Sequence, residues 1–451
     1  MKFYNRKNEL AELTKLYDQA NTSARLTVIT GRRRVGKTML ALEFASKHKH
    51  LYLFVSKKSE HLLCMEYLEE IKKNFSIPVI GEIKTFKEIF MLLIEYARKE
   101  RFTLIIDEFQ EFYNINPSVY SDIQHLWDVN TSSCRLNLIC IGSVYSLMHK
   151  IFEESKEPLF GRADRILFLR PFSIRDVYAV LRDLGQTDGQ PLFDCFAITG
   201  GMPKYLDILA SNNVFQFDSM VDFILKDNSP FLNEGRSLLV EEFGKEYGTY
   251  FSILELIASG KTARTEIESV LEIHAGAYLA KLETDYALIA KLKPINAKPN
   301  SRLQKYRIMD NFLGFWFRFI FKNRSAVETG NFSYIKEIIN RDYSTYAGRI
   351  LESFYQQVFA ESGRFNRIGT YWERGNQNEI DLVAVNDLRK EVVFADIKLD
   401  SSRINLKALK EESSKLSEEY EGYKKEWLGL HIQNIKEFLK WKASDILRGL
   451  A

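Results

Sequence analysis

The stretch that most constrains this chain is Gly31-Arg32-Arg33-Arg34-Val35-Gly36-Lys37-Thr38, set between the apolar run Leu26-Thr27-Val28-Ile29-Thr30 and the helical pattern Met39-Leu40-Ala41-Leu42-Glu43-Phe44-Ala45. A strand running into two spaced glycines, with Lys-Thr opening a helix, curls backbone N–H groups around an anion and places a helix N-terminus behind them. Glycine lets the backbone approach the phosphate closely. Such a P-loop is expected to bind ATP: Lys37 reaches the β- and γ-phosphates, the Thr38 hydroxyl ligates Mg²⁺, and the backbone from Arg32 to Val35 faces the nucleotide. A Gly-rich turn before a helix is the competing reading, and the strand-loop-helix context argues against it.

The flanking pattern extends the expectation to a multidomain α/β protein. Glu9, Leu10, Leu13, Leu16 and Tyr17 have helical spacing, Leu51–Val55 reads as a buried strand, and helical patterns follow around 60–74 and 85–99. Strands alternating with helices predict a parallel sheet covered on both faces. The run Phe102-Thr103-Leu104-Ile105-Ile106 ends in Asp107-Glu108-Phe109-Gln110. An acidic pair at the carboxyl end of a buried strand is a Walker B pattern, in which Asp107 holds Mg²⁺ and Glu108 polarises the attacking water. Read alone, the pair would cap the next helix. A further buried strand, Leu136–Ile141, ends at Gly142-Ser143. Ser143 is the candidate sensor of the γ-phosphate, or else a cap for the helix Val144–Phe152. In Pro158-Leu159-Phe160-Gly161-Arg162-Ala163-Asp164-Arg165, an arginine could reach a phosphate as an arginine finger does, with Arg162 the one favoured and surface ion pairing the alternative for either.

Together, Asn5-Arg6-x-x-Glu9-Leu10, the P-loop, Ile106-Asp107-Glu108-Phe109-Gln110, Pro158–Arg162 and Thr199-Gly200-Gly201-Met202-Pro203-Lys204 resemble the archaeal-type ATPase family, a branch of the AAA+/STAND P-loop NTPases. The resemblance implies that Pro203 lies near the adenine in a helical lid and Arg6 near the nucleotide from the other side. Without it, Gly-Gly-Met-Pro is a turn between two helices. The expected organisation is a P-loop core over 1–170, a helical lid over 171–237, a winged-helix domain with a connecting aromatic helix over 238–330, and a C-terminal domain over 331–451.

Within 238–330, short helical patterns precede Ala287–Leu292, a Pro/Asn/Lys-rich loop and Gln304–Ile308. Helices followed by a hairpin are the winged-helix layout, in which the third helix enters a major groove and Lys291, Lys293, Lys298 and Arg302 touch phosphates of double-stranded DNA. Packing against neighbours is the alternative, favoured by Glu266, Glu268, Glu272 and Glu283. The aromatic run Phe312–Phe321 reads as a core stripe joining domains. In the last domain, Asn378–Val385 and Val392–Leu399 read as strands around Asn386-Asp387, after a helix carrying Glu352. Residues two apart on a strand share a face, so Asp396 and Lys398 point the same way and Asp381 joins them from the adjacent strand. Asp381 and Asp396 as metal ligands, Glu352 as a third carboxylate and Lys398 orienting water make a set sufficient to cleave phosphodiesters. These residues resemble the PD-(D/E)XK nuclease core, although no proline precedes Asp381 and the last motif is Asp-Ile-Lys. A cross-strand ion-pair network is the alternative.

With 63 basic against 60 acidic residues the chain carries +3, so any nucleic-acid surface must be local. Cys64, Cys134, Cys140 and Cys195 form no Cys-x-x-Cys pair, which predicts a reducing cytoplasm without structural zinc. The oily run Phe312–Phe321 is far below the ~20 residues of a membrane span, so no membrane association is expected. Two functional classes follow. One is an ATP-driven enzyme that acts on DNA through a Mg²⁺-dependent nuclease-like domain. The other is a STAND-type switch whose ADP and ATP states change domain docking or homo-oligomer assembly.

Overall fold

A computed structural model describes residues 2–75, 82–244, 247–298, 300–375 and 377–440. The end of the C-terminal domain, 441–451, lies outside the described residues. The chain divides into two compact units, Lys2–Pro171 and the chain from Phe172 onward.

In the first unit the strands are β1 (Arg25–Gly31), β2 (His50–Phe54), β3 (Phe102–Asp107), β4 (Leu136–Ile141) and β5 (Arg165–Leu169). They form a parallel sheet in the order β2-β3-β4-β1-β5. β3 and β4 are buried along their whole length and β1 at all but its first residue. Largely apolar strands are buried in this way when helices cover both faces, and the interior Asn137 on β4 donates to Thr103 on β3 at 3.1 Å. The helices Glu60–Asn74 and Phe86–Lys99 follow the periodic stretches. Thr85 caps the second through a reciprocal bond with Glu88. The sequence pattern does not announce β5. It is a largely exposed edge strand, and its flanking arginines draw a sequence reading toward ion pairing instead.

The second unit begins with the helices Ile174–Asp183, Gly189–Thr199, Pro203–Ser211, Phe217–Ile224 and Pro230–Phe243. Tyr247–Ala258, Arg264–Leu271 and Gly276–Thr284 come next, followed by an antiparallel hairpin of β6 (Ile289–Leu292) and β7 (Lys305–Ile308). The aromatic run is core, as expected. Phe312, Phe315, Phe317 and Phe319 are fully buried, Trp316 donates from Nε1 to the Leu232 carbonyl at 2.9 Å, and Phe251 meets Phe317 edge-on at 5.3 Å. Its middle turn, Trp316–Ile320, is a π-helix, which rotates successive rings away from strict 3.6-residue spacing. Among the described residues no helix is long and apolar enough to cross a membrane.

A long helix, Phe332–Glu361, leads into a four-stranded sheet of β8 (Arg367–Tyr371), β9 (Ile380–Asn386), β10 (Glu391–Ile397) and β11 (Lys424–Leu430). The order is β11-β10-β9-β8, with β10 and β11 parallel and the other pairs antiparallel. Val383, Val385, Val392 and Phe394 pack with Leu409, Leu416 and Tyr420 to form its core. β8 carries no strand signal in the sequence, since Arg-Ile-Gly-Thr-Tyr is half-buried throughout and shows no alternation.

Candidate functional site

Parallel topology brings the carboxyl ends of β1, β3 and β4 to one edge of the first sheet. Gly31 has φ 139°, and a Cβ there would stand 2.5 Å from the Leu169 carbonyl oxygen of β5. Gly36 closes the loop in the left-handed region at φ 93° and opens the helix Lys37–Ala45. Only glycine meets both demands cheaply. Lys37 is buried, and its ammonium donates to the carbonyls of Gly31 at 2.8 Å and Arg32 at 3.0 Å. The side chain therefore lies over the loop whose amides would cradle a phosphate.

The acidic pair lies across β4 from the loop. Thr38 donates from Oγ1 to Asp107 Oδ2 at 2.6 Å, and Tyr52, on the strand beside β3, donates to the same oxygen at 2.9 Å. The Glu108 amide donates to Asp107 Oδ1 at 2.8 Å. Asp107 is thus held on both oxygens, and the Tyr52 hydroxyl is pushed well above its ordinary pKa by burial and then by the Asp107 charge. Glu108 sits in the left-handed region at φ 53°, a conformation that costs a non-glycine residue energy and turns its carboxylate away from the strand. Ser143 Oγ at 2.7 Å and Gln110 Nε2 at 2.5 Å both donate to Glu108 Oε2, while Arg33 Nε approaches Ser143 Oγ at 3.3 Å. Since β4 lies between β1 and β3, the first polar side chain beyond β4 falls between loop and acid. Ser143 is that side chain.

Sequence reasoning misses Tyr52 and Gln110 as partners. Strand order alone puts Tyr52 beside Asp107, and no local pattern encodes that order. Arg6, in the left-handed region at φ 65°, donates to the carbonyls of Val35 at 3.3 Å and Arg170 at 2.6 Å, so it braces the phosphate loop. Arg162 is held in a two-pronged pair with Asp128 at 3.1 and 2.9 Å, which is the ion-pair alternative within the chain. Pro203 belongs to the second unit and opens the helix Pro203–Ser211 as its first residue.

In the C-terminal sheet Ala395 pairs with Leu382, so Asp396 and Asp381 face each other one step further on. The Lys398 ammonium contacts Asp381 Oδ2 at 2.9 Å and Asp396 Oδ1 at 2.5 Å. Asp381 also accepts from the Ile397 amide at 2.8 Å and Asp396 from the Asn405 amide at 3.0 Å. Glu352, from the long helix, has its carboxyl pushed up to about 8 by burial and then by the charges of Asp381 and Glu379. Asp381 is also raised, chiefly by burial. The residues picked from the sequence therefore converge, with an ammonium between the two aspartates. Among the described residues no three carboxylate, histidine or cysteine groups are arranged to hold a metal ion.

The hairpin departs from a free DNA-reading wing. Lys291 is paired with Glu283 at 3.1 Å. The loop between β6 and β7 is docked on β8, where the Ile295 amide donates to the Thr370 carbonyl at 2.8 Å and Asn296 joins Tyr420 at 2.8 Å and Arg367 at 2.6 Å. Lys298 and Arg302 remain exposed.

A phosphate loop on a parallel sheet of this order, faced by an acidic pair two strands away, defines a P-loop NTPase, and the chain is an ATPase of that class. It belongs to the archaeal-type ATPase family: the model of ATPase domains predominantly from Archaea matches residues 3–209, and an uncharacterized protein of Methanocaldococcus jannaschii is 30% identical over 406 residues, covering 88% of this chain and 87% of its own. Residues 316–414 match a second family, archaeal and bacterial proteins of unknown function. The Walker-type ATPase of Pyrococcus abyssi superimposes with a TM-score of 0.55 at 18% identity, over 70% of this chain and 96% of that one. The ORC2 protein of Aeropyrum pernix, solved as ADPNP and ADP complexes, gives 0.50 at 14%, over 75% and 96%. At these identities the solved structures show the fold.

Proposed function

We propose that the chain hydrolyses ATP at the β1–β3–β4 edge and couples the nucleotide state to a C-terminal domain that cuts DNA. The observation that carries the ATPase half is the meeting of Thr38 Oγ1 and Asp107 Oδ2 at 2.6 Å, with the Glu108 amide on the other Asp107 oxygen at 2.8 Å. A hydroxyl and a buried carboxylate brought to one point are the hard oxygen donors that suit Mg²⁺. When bound, Mg²⁺ would neutralise charge on the β- and γ-phosphates. Lys37 would leave the Gly31 and Arg32 carbonyls for the phosphates, the amides from Arg32 to Val35 would cradle them, and Glu108 would take a proton from the attacking water. Ser143 and Gln110 hold that carboxylate in place and sense the γ-phosphate through it. Pro203 would contact the adenine from the helical lid. Arg162 would need to leave Asp128 to reach a neighbouring subunit's nucleotide.

The C-terminal half rests on Asp381, Asp396, Glu352 and Lys398 lying together on a helix-plus-mixed-sheet frame that resembles the PD-(D/E)XK core. Asp381 and Asp396 are the Mg²⁺ ligands in this reading, Lys398 orients the water, and the helices before the hairpin form a winged helix against DNA. The regulatory-switch reading is favoured by one feature, the Lys398 ammonium that already satisfies both aspartates.

Purified protein given ATP with and without Mg²⁺ tests the first half, and plasmid nicking with Mg²⁺ or Mn²⁺ tests the second. Turnover that survives Lys37→Ala removes the P-loop assignment. Nicking that survives Asp381→Asn removes the nuclease site and leaves the switch.

A further inference from the structure

A cavity of about 540 Å³ opens beside the Asp381 set, between the β6–β7 hairpin, the helix Phe332–Glu361 and the start of β9. Three guanidinium groups line it: Arg307 from β7, Arg318 from the aromatic segment and Arg349 from the long helix, one turn before Glu352. Among the described residues none of the three forms an ion pair. Arg307 is half-buried and donates to Ser353 Oγ at 2.6 Å. Arg318 donates to the Ala258 carbonyl at 3.1 Å, and its Nε is buried with no partner. Burial, then the charge of Arg349, push the Arg318 pKa down.

Three of the cavity's four acids have partners of their own. Asp381 is paired with Lys398 at 2.9 Å, Glu379 with Lys305 at 3.0 Å, and Glu266 accepts from the Ala263 amide at 2.9 Å. The fourth, Glu352, lies within electrostatic reach of Arg307. The cavity therefore presents spare guanidinium donors, among them the buried and unpartnered Arg318 Nε, that a bound anion would satisfy. Forked guanidinium donors match phosphate oxygens. Tyr306 and Trp372 line the same space, and its volume is that of a small-ligand pocket. An aromatic wall beside a phosphate site suits a nucleotide unit.

We propose that this cavity receives the phosphorylated end of a nucleic-acid strand, with Arg307, Arg318 and Arg349 holding the phosphate beside Glu352 and Asp381. The hairpin then supplies an arginine to the C-terminal site from its second strand. The substrate class rests on the nuclease reading of Asp381, whereas the anion pocket does not.

The test uses the full chain carrying Lys37→Ala, so that the P-loop does not report, in EDTA, so that nothing is cut. Single strands of one sequence with a phosphate at the 5′ end, at the 3′ end or at neither are titrated against it. One phosphorylated end is expected to bind about tenfold or more tightly than the hydroxyl strand, the effect of a charge-assisted contact. Arg349→Gln, at an exposed position that should fold normally, is expected to erase that preference, and Arg349→Lys to restore part of it. Inorganic phosphate alone is expected to raise the melting temperature of the Lys37→Ala chain and to do so less with Arg349→Gln added. Equal binding of all three strands overturns the strand-end assignment, and the absence of any phosphate effect overturns the pocket. Failure to cleave once Mg²⁺ is supplied would sink the nuclease reading alone.

Discussion

Ser143 Oγ donates to Glu108 Oε2 at 2.7 Å, tying the end of one strand to the acid that follows its neighbour. The contact fixes where a general base would stand, and it joins the proposed sensor of the γ-phosphate to the residue proposed to activate water.

Glu108→Gln is expected to retain ATP binding while turnover falls by ~10²-fold or more, the usual contribution of a positioned base. Lys37→Ala is expected to abolish binding, read by calorimetry. Ser143→Ala should lower turnover less than Glu108→Gln, because Gln110 still holds the carboxylate. Loss of binding in Glu108→Gln would contradict these roles.

Gly31→Ala should fail differently. A methyl group forced against the Leu169 carbonyl at φ 139° is expected to destabilise the first unit by about 2 kcal/mol and to remove ATP binding with it. Chemical denaturation followed alongside nucleotide binding measures both. Unchanged stability would mean that the loop can reshape.

The pH dependence of stability carries the signature of Glu352. Its carboxyl stands at about 8 in the fold against an ordinary 4.5, so the folded protein binds this proton more tightly than the unfolded chain does. The resulting stability is fully present below pH 4.5 and lost as pH rises through 8, with a slope of at most about 1.4 kcal/mol per unit. Glu352→Gln should flatten the profile in that window, as read by urea midpoints from pH 5 to 9. An identical slope in both proteins would place the titration elsewhere.

Lys398→Met leaves Asp381 and Asp396 facing each other without their shared cation. Metal-free protein is expected to lose about 1–3 kcal/mol, while Mn²⁺ should stabilise the variant more than the parent. A melting-temperature titration decides between a latent metal site and an ion-pair network. If Mn²⁺ shifts neither protein, the two aspartates are structural.

For DNA affinity, the exposed Lys298 and Arg302 are the wing candidates, whereas Lys291 is already paired. The Lys298→Ala, Arg302→Ala double variant should lower the salt slope of binding by about 2, and Lys291→Ala by less than 1. A slope that responds only to Lys291 would reverse the order.

Local chemistry makes the ATPase half legible in the sequence by itself. The P-loop, the apolar Leu104-Ile105-Ile106 before Asp107 and the largely apolar β4 are contiguous signals, since buried parallel strands are mostly apolar. The C-terminal cluster is legible too, because strand alternation puts Asp396 and Lys398 on one face. Tertiary structure decided what depends on neighbours distant in sequence. Tyr52 reaches Asp107 only through strand order. Arg162 meets Asp128 only through the packing of the helix Ser118–Asn130. The hairpin loop became a brace on β8 instead of a free wing, because backbone groups at an open sheet edge take whatever partner the fold brings near. The same long-range packing gathered Arg307, Arg318 and Arg349 around one cavity, although no motif joins them.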